Sequence, residues 1–455
     1  MSHRYACFTL SFLVILTIIT SLDIAITKYH PFSVKAQAQD PSTTSLQPHV
    51  LDPKLKVELV YSGNGFPTNM VFVGKDDILL LSKKTGDVLR IKDGKNIGSV
   101  LHVNVNSKDE RGLLGIATDA YPTNNQNVFN LTHQEGISNV FLYYSFCKAK
   151  LECNNFVYKY DWLKNEGKLT NPKLLLKLPG SPGPSHMGGD MTIGADGNIY
   201  LVIGDLLSTE LFNKDKKYNT QAQNYEDGVE PDGRAGILTI TKDGKPVDNI
   251  GIGSSYPLNL YYAYGIKNSF GIGFDPVTGK LWDTENGPDF GDEINLIEPG
   301  FNGGWSKVQG FWTVSGTSEK MDMITGEPTG LVDFGGKGKY YEPKLVWDKT
   351  VAPTALVFLS STKLGSEYQN DMFVGSVKAG KIFHLKLNQD RNDLLLPNTI
   401  KNKIVAGEED SDPIVFADNF GIITDLRVGP DDGYLYVVSG DRAADTGSIY
   451  RIVPK

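Results

Sequence analysis

Short apolar runs separated by turn residues recur along the chain, and none extends into a long helical pattern. Met70–Phe72, Ile78–Leu81 and Val88–Ile91 are divided by Gly74–Asp77 and Lys84–Gly86. The unit returns as Met191–Ile193, the Ala195–Gly197 turn and Ile199–Ile203. It returns again as Ile272–Phe274, Pro276–Gly279 and Lys280–Asp283, then as Leu426–Val428, Pro430–Gly433 and Tyr434–Val438, with Gly447–Ile452 closing the chain. Gly, Pro, Asn and Asp each favour turn geometry for a physical reason. Short strands bounded by such turns predict an all-β fold. Antiparallel sheets repeated about an axis leave only short, protected edges, so the pattern predicts a β-propeller. Leu55–Tyr61 is expected to pair beside the C-terminal repeat and complete its blade. Leu206–Arg234 and Thr313–Pro343 are long irregular stretches, the kind that usually builds a ligand face.

The N-terminus has a different pattern. His3 and Arg4 precede the apolar run Cys7–Leu22, and Ala36, Gln37 and Ala38 offer a small-residue cleavage site. That order predicts a secretory signal over residues 1–38. An uncleaved N-terminal membrane anchor is the alternative, because the run lengthens through Ile26 if Asp23 is included. Residues 39–54 are polar and read as a flexible leader, with the propeller over 55–455. A secreted or extracytoplasmic protein is expected. In that setting Cys147 and Cys153 are expected to form a disulfide across a short loop. Asn130 opens an Asn-Leu-Thr glycosylation sequon.

Composition adds little to the fold. The 455 residues are 40% hydrophobic and 22% charged, enough for a large core. The 48 glycines fit many tight turns. A formal charge of −8 without a basic stripe argues against nucleic acid as a partner.

Two stretches carry candidate chemistry. In the first, Tyr264–Gly310, Asn286, Gly287 and Pro288 are followed by Asp292 and Glu293. A Gly-Pro turn projects its carbonyls from a loop, and carbonyls beside carboxylates suit Ca²⁺. In the second, His186 follows the Pro/Gly-rich loop Pro179–Pro184 and precedes Gly188 and Gly189. Those glycines permit close backbone approach by a ligand. Asp205 ends the strand-like run that follows, within reach of His186, and a His with a carboxylate partner is a base near neutral pH.

Together these stretches resemble the glucose/sorbosone dehydrogenase family, which includes soluble pyrroloquinoline quinone (PQQ) glucose dehydrogenases and aldose sugar dehydrogenases. The resemblance runs from about Leu55 to Lys455. It is carried by Glu110–Ala117, His186–Asp205, Tyr264–Gly310, Ala352–Thr354, Gly375–Gly380 and the segment from Asp425 to Asp431.

The resemblance implies a six-bladed propeller with long loops on the ligand face. It implies oxidation of an aldose C1 hydroxyl to the lactone by hydride transfer to PQQ, with an external electron acceptor. His186 would be the base and Asp205 its partner. Glu110, Lys267, Asn268, Asn286, Asp292 and Lys378 would line the cofactor, and the Gly287 and Pro288 carbonyls would hold Ca²⁺. The chain also departs from the family pattern. Lys267 replaces an arginine, and Ile422 and Thr424 replace two more. A tricarboxylate wants such cations. Arg427 is the nearest cation in sequence, and strict strand alternation places it on the opposite face from Ile422 and Thr424. Two other readings follow: a propeller that binds carbohydrate or protein without redox chemistry, and a calcium hydrolase of lactonase-like type using Asp205, Asn268 and Asp292.

Overall fold

A computed structural model describes residues 47–120, 136–149, 152–207 and 218–455. The proposed signal or anchor over 1–38 and the Asn130 sequon lie outside the described residues. Among those described, the chain is nearly all β, with one four-residue α-helix at Glu408–Ser411.

Six sheets of four to six strands and one three-stranded sheet make up the molecule. The six larger sheets begin with Pro67–Gly74, Leu113–Thr118, Met191–Ile193, Ser269–Phe274, Pro353–Phe358 and Ile422–Val428. Each of these inner strands contacts the next, and the last returns to the first, closing a ring. Antiparallel neighbours then run outward mostly in sequence order; two sheets end in short parallel pairs, and N-terminal strands complete two others. In the first sheet these are Asp77–Ser82, Asp87–Lys92 and Lys95–His102. Fully buried Val, Ile, Leu and Phe residues fill the gaps between sheets. The predicted N-terminal pairing is present: Leu55–Asn64 lies antiparallel to Thr446–Pro454. Strand pairing is present before Leu55. His49 and Val50 pair with Asp418 and Ala417, and Val50 is buried, so the flexible leader expected over 39–54 does not extend to residue 54.

Two of the motifs meet through glycine. A Cβ on Gly115, in the middle of Leu113–Thr118, would lie 1.8 Å from the Gly189 carbonyl oxygen. Only glycine permits that approach, and it sets the His186 loop directly on the inner strand. Cys147 and Cys153 are joined by a disulfide where two long strands of the second sheet turn back.

The strand Ile422–Val428 corrects one expectation. Its register shifts between Ile423 and Asp425, a bulge centred on Thr424. Strict alternation therefore fails there. Ile423 and Leu426, three apart, both approach Gly375. Arg427 is committed elsewhere. Its Nε donates to Asp425 Oδ2 at 3.0 Å and its Nη2 to Asn69 Oδ1 at 2.7 Å, with Asp190 at 3.6 Å. A cavity of about 420 Å³ opens at this C-terminal end of the inner strands, lined by Phe72, Phe274, Phe358 and Arg427 among others. None of the predicted site residues lines it.

Candidate active site

The predicted site residues gather at the opposite end of the ring, in the segments that lead into the inner strands and in the turns between the second and third strands of the sheets. His186 has φ +59°, a left-handed conformation that costs a non-glycine residue about 1 kcal/mol. Glu110 braces it. The Glu110 Oε2 accepts from the His186 N–H at 2.6 Å, the Met187 N–H at 3.2 Å and Asn268 Nδ2 at 3.2 Å. Glu110 thus supports the histidine loop rather than standing free in the opening.

The His186 Nδ1 lies 2.6 Å from Asp205 Oδ1. Asp205 is fully buried; its Oδ2 accepts from Trp305 Nε1 at 2.7 Å and its Oδ1 from the Leu207 N–H at 2.9 Å. Burial alone would raise the Asp205 carboxyl. The hydrogen bond of His186 and, when the ring is protonated, its charge, together with the Lys267 charge and the Leu207 N–H, outweigh burial and hold the group below its ordinary value. A carboxylate so held fixes the imidazole with its proton on Nδ1 and its lone pair on Nε2.

Lys267 is buried, with its Nζ 3.2 Å from His186 Nε2 and 5.7 Å from the centre of the Trp305 ring. Burial pulls its ammonium below the usual lysine value, opposed by the charges of Asp205, Glu110, Asp292 and Glu285. Asn268 keeps a buried Oδ1 with no hydrogen-bond partner. Its carbonyl accepts from the Asn286 N–H at 2.8 Å, and Asn286 Nδ2 donates to the Pro353 carbonyl at 2.7 Å. Glu110, Asn268 and Asn286 therefore link the histidine loop to the Gly287–Pro288 turn.

That turn is folded by Asp292. Its Oδ1 accepts from the Gly287 N–H at 2.9 Å, and its Oδ2 from Val351 and Ala352, both at 2.7 Å. Burial pushes the Asp292 carboxyl up to about 6. Both of its oxygens serve backbone donors, so its place here is to shape the turn. The Gly287 and Pro288 carbonyls accept no hydrogen bond among the described residues. They are hard oxygen donors of the type Ca²⁺ takes. Among the described residues no group of three or more His, Cys, Asp and Glu is placed to hold a metal. A cation at this turn would complete its shell from water and ligand. Lys378 is on the turn leaving Met372–Ser376, where its Nζ donates to Thr350 Oγ1.

Several residues were not found from sequence. Trp305 anchors Asp205 from 100 positions away. Glu285 accepts the Lys267 N–H at 2.6 Å. Lys83 Nζ donates to the Asp109 carbonyl at 2.6 Å; burial, with the Arg442 charge, pulls it down to about 8. Arg442 lies 5.6 Å over the Phe66 ring, and the Phe66 carbonyl accepts the Lys83 N–H, so both cations flank one residue at this end of the ring.

Beneath the turn lies a buried carboxyl cluster. Glu285 and Glu293 sit opposite each other in adjacent strands, as do Asp283 and Asn295. Neither Asp283 oxygen has a hydrogen-bond partner, although Asn295 and Ser269 stand beside it. Burial first, then the Glu293 charge, pushes Asp283 up to about 8. An acid raised in the folded state keeps a proton that the unfolded chain releases. Its contribution is present below about pH 4 and is lost as pH climbs to about 8. Asp283→Asn should therefore raise the melting temperature at pH 8.5 by about 2–4 °C or more, with a clearly smaller effect at pH 5. Thermal melts at both pH values check this; no gain at pH 8.5 would contradict the assignment.

Fold and site together define an all-β ring with a histidine–carboxylate pair at its mouth. Residues 65–451 match the glucose/sorbosone dehydrogenase family, and the chain belongs to that family. It is 25% identical over 469 residues to quinoprotein glucose dehydrogenase B of Acinetobacter calcoaceticus, covering 92% of each chain. It is 27% identical over 399 residues to the uncharacterized protein slr1608 of Synechocystis, covering 85% of this chain and 84% of that one. The PQQ-bound aldose sugar dehydrogenase of Streptomyces coelicolor has a similar fold, with TM-score 0.56 and 20% identity over 90% of this chain and all of that one. Among the described residues no helix is long and apolar enough to cross a membrane.

Proposed function

We propose that the protein is a six-bladed propeller that oxidises the C1 hydroxyl of an aldose to the lactone, using PQQ and Ca²⁺. The single observation that carries this reading is the His186–Asp205 pair, 2.6 Å apart and linked through Glu110 and Asn268 to the free carbonyls of the Gly287–Pro288 turn. The relatives' names supply the cofactor class: one is a quinoprotein and another was solved with PQQ bound. The closed ring of inner strands supports six blades. The N-terminal pattern and the disulfide support an exported protein, with residues 1–38 as signal or anchor.

The residues divide the work. His186 Nε2 takes the hydroxyl proton while Asp205 holds the ring and stabilises the imidazolium that forms. Trp305 keeps Asp205 in place, and Glu110 keeps the strained His186 backbone in place. The Gly287 and Pro288 carbonyls would hold Ca²⁺. Lys378, Lys83 and Arg442 supply positive charge for a tricarboxylate. When bound, the quinone would supply the hydride acceptor and Ca²⁺ would supply a Lewis acid beside it. An external acceptor would be needed to take up the electrons.

A second reading, a propeller that binds carbohydrate or protein without redox chemistry, draws on Ile422 and Thr424 where the family pattern has arginines. One experiment separates the two. Purified protein is incubated with PQQ and Ca²⁺, then assayed for aldose-dependent dye reduction. The dehydrogenase reading expects turnover that needs both additions. No turnover with any aldose, from folded protein, favours the binding reading.

A further inference from the structure

The contact between Lys267 and His186 carries information that the family role of this position does not. Lys267 Nζ lies 3.2 Å from His186 Nε2, while Nδ1 of the same ring lies 2.6 Å from Asp205. An ammonium has donors and no lone pair. The contact is attractive only if Nε2 is unprotonated, and the Asp205 bond places the ring proton on Nδ1. The lone pair that would take a substrate proton is thus already occupied by a lysine donor. Lys267 is 6% exposed, and Trp305 and the loop backbone enclose it. The charges facing it, Asp205, Glu110, Asp292 and Glu285, oppose the effect of burial on its ammonium. An arginine here would present a planar fork in place of a compact point charge on a flexible stem.

We infer that Lys267 is a positioning residue for the base: its ammonium caps His186 Nε2 and keeps the ring proton on Nδ1. A substrate hydroxyl reaches Nε2 only after the ammonium is displaced, and an anionic ligand oxygen entering the site is the chemistry that would draw it away. The purpose of the cap rests on the dehydrogenase reading, whereas the cap itself does not.

The test uses the ligand-free full-length protein and diethylpyrocarbonate, which acylates free imidazole nitrogen. Modification of His186 is followed by peptide mass spectrometry. Lys267→Met should speed it at least about tenfold, because the donor is gone and the stem volume remains. Lys267→Arg should keep the rate within about twofold of wild type, because a donor still reaches Nε2. An unchanged rate in Lys267→Met, or equal acceleration in both variants, overturns the cap. If Lys267→Met does not fold, ¹⁵N spectra of labelled histidine in the wild type decide the matter. They should show His186 with its proton on Nδ1, and a proton on Nε2 overturns the inference. If the ligand-free results hold but PQQ does not bind, the cap stands and the quinone reading is what fails.

Discussion

His186→Ala is expected to lower aldose turnover of the PQQ- and Ca²⁺-loaded protein by roughly 10²- to 10⁴-fold, the usual contribution of a positioned general base. On the proposed reading the imidazole takes the hydroxyl proton; Asp205 lies behind it at 2.6 Å and is fully buried. The substitution should leave the fold intact, since Asp205 keeps the Trp305 and Leu207 donors. PQQ affinity should change little, because on the proposed reading the ring nitrogen serves the substrate hydroxyl; in the structure it meets Lys267. Steady-state kinetics beside a PQQ titration separate the two effects. Turnover within a few-fold of wild type would remove His186 from the chemistry.

The second large effect concerns charge. Ile422→Arg together with Thr424→Arg should tighten PQQ binding at least about tenfold, since planar guanidinium pairs carboxylate bidentately. Both positions are half-buried at the start of the sixth inner strand, so the new side chains need not enter the core. The bulge at Thr424 alters the facing of this stretch, and Arg427 is held by Asp425 and Asn69 and cannot substitute. Equilibrium titration of the variant against the wild type checks this. Weaker or unchanged binding would mean that no ligand carboxylate lies beside these residues.

Much of the fold was legible because its signals are local. The turn between Ile193 and Ile199, or between Leu426–Val428 and Tyr434, declares itself in a few adjacent residues. The bulge at Thr424 does not, because it depends on how Ile423 and Leu426 pack on Gly375 from another strand. The order of His49 and Val50 was missed because a two-residue strand takes its stability from Ala417 and Asp418. In the site, His186 and Asp205 stood out through flanking glycines and a short return. Trp305, 100 positions from Asp205, did not, and although Lys267 was named, its contact with His186 across 81 positions was not legible. The roles of Glu110 and Asp292 as braces also escaped sequence reading, since their backbone partners are set by loops that meet only in the fold. The buried Asp283, Glu285 and Glu293 follow strand alternation, but burial of both sheet faces is a property of the ring.

Calorimetric titration of PQQ into the purified protein, with Ca²⁺ present and again after chelation, tests the central claim most directly. The account predicts saturable binding at one site per chain, strong with Ca²⁺ and much weaker without it, because the Gly287 and Pro288 carbonyls need the cation to engage an anionic ligand. Absence of binding to folded protein at any Ca²⁺ concentration would contradict it.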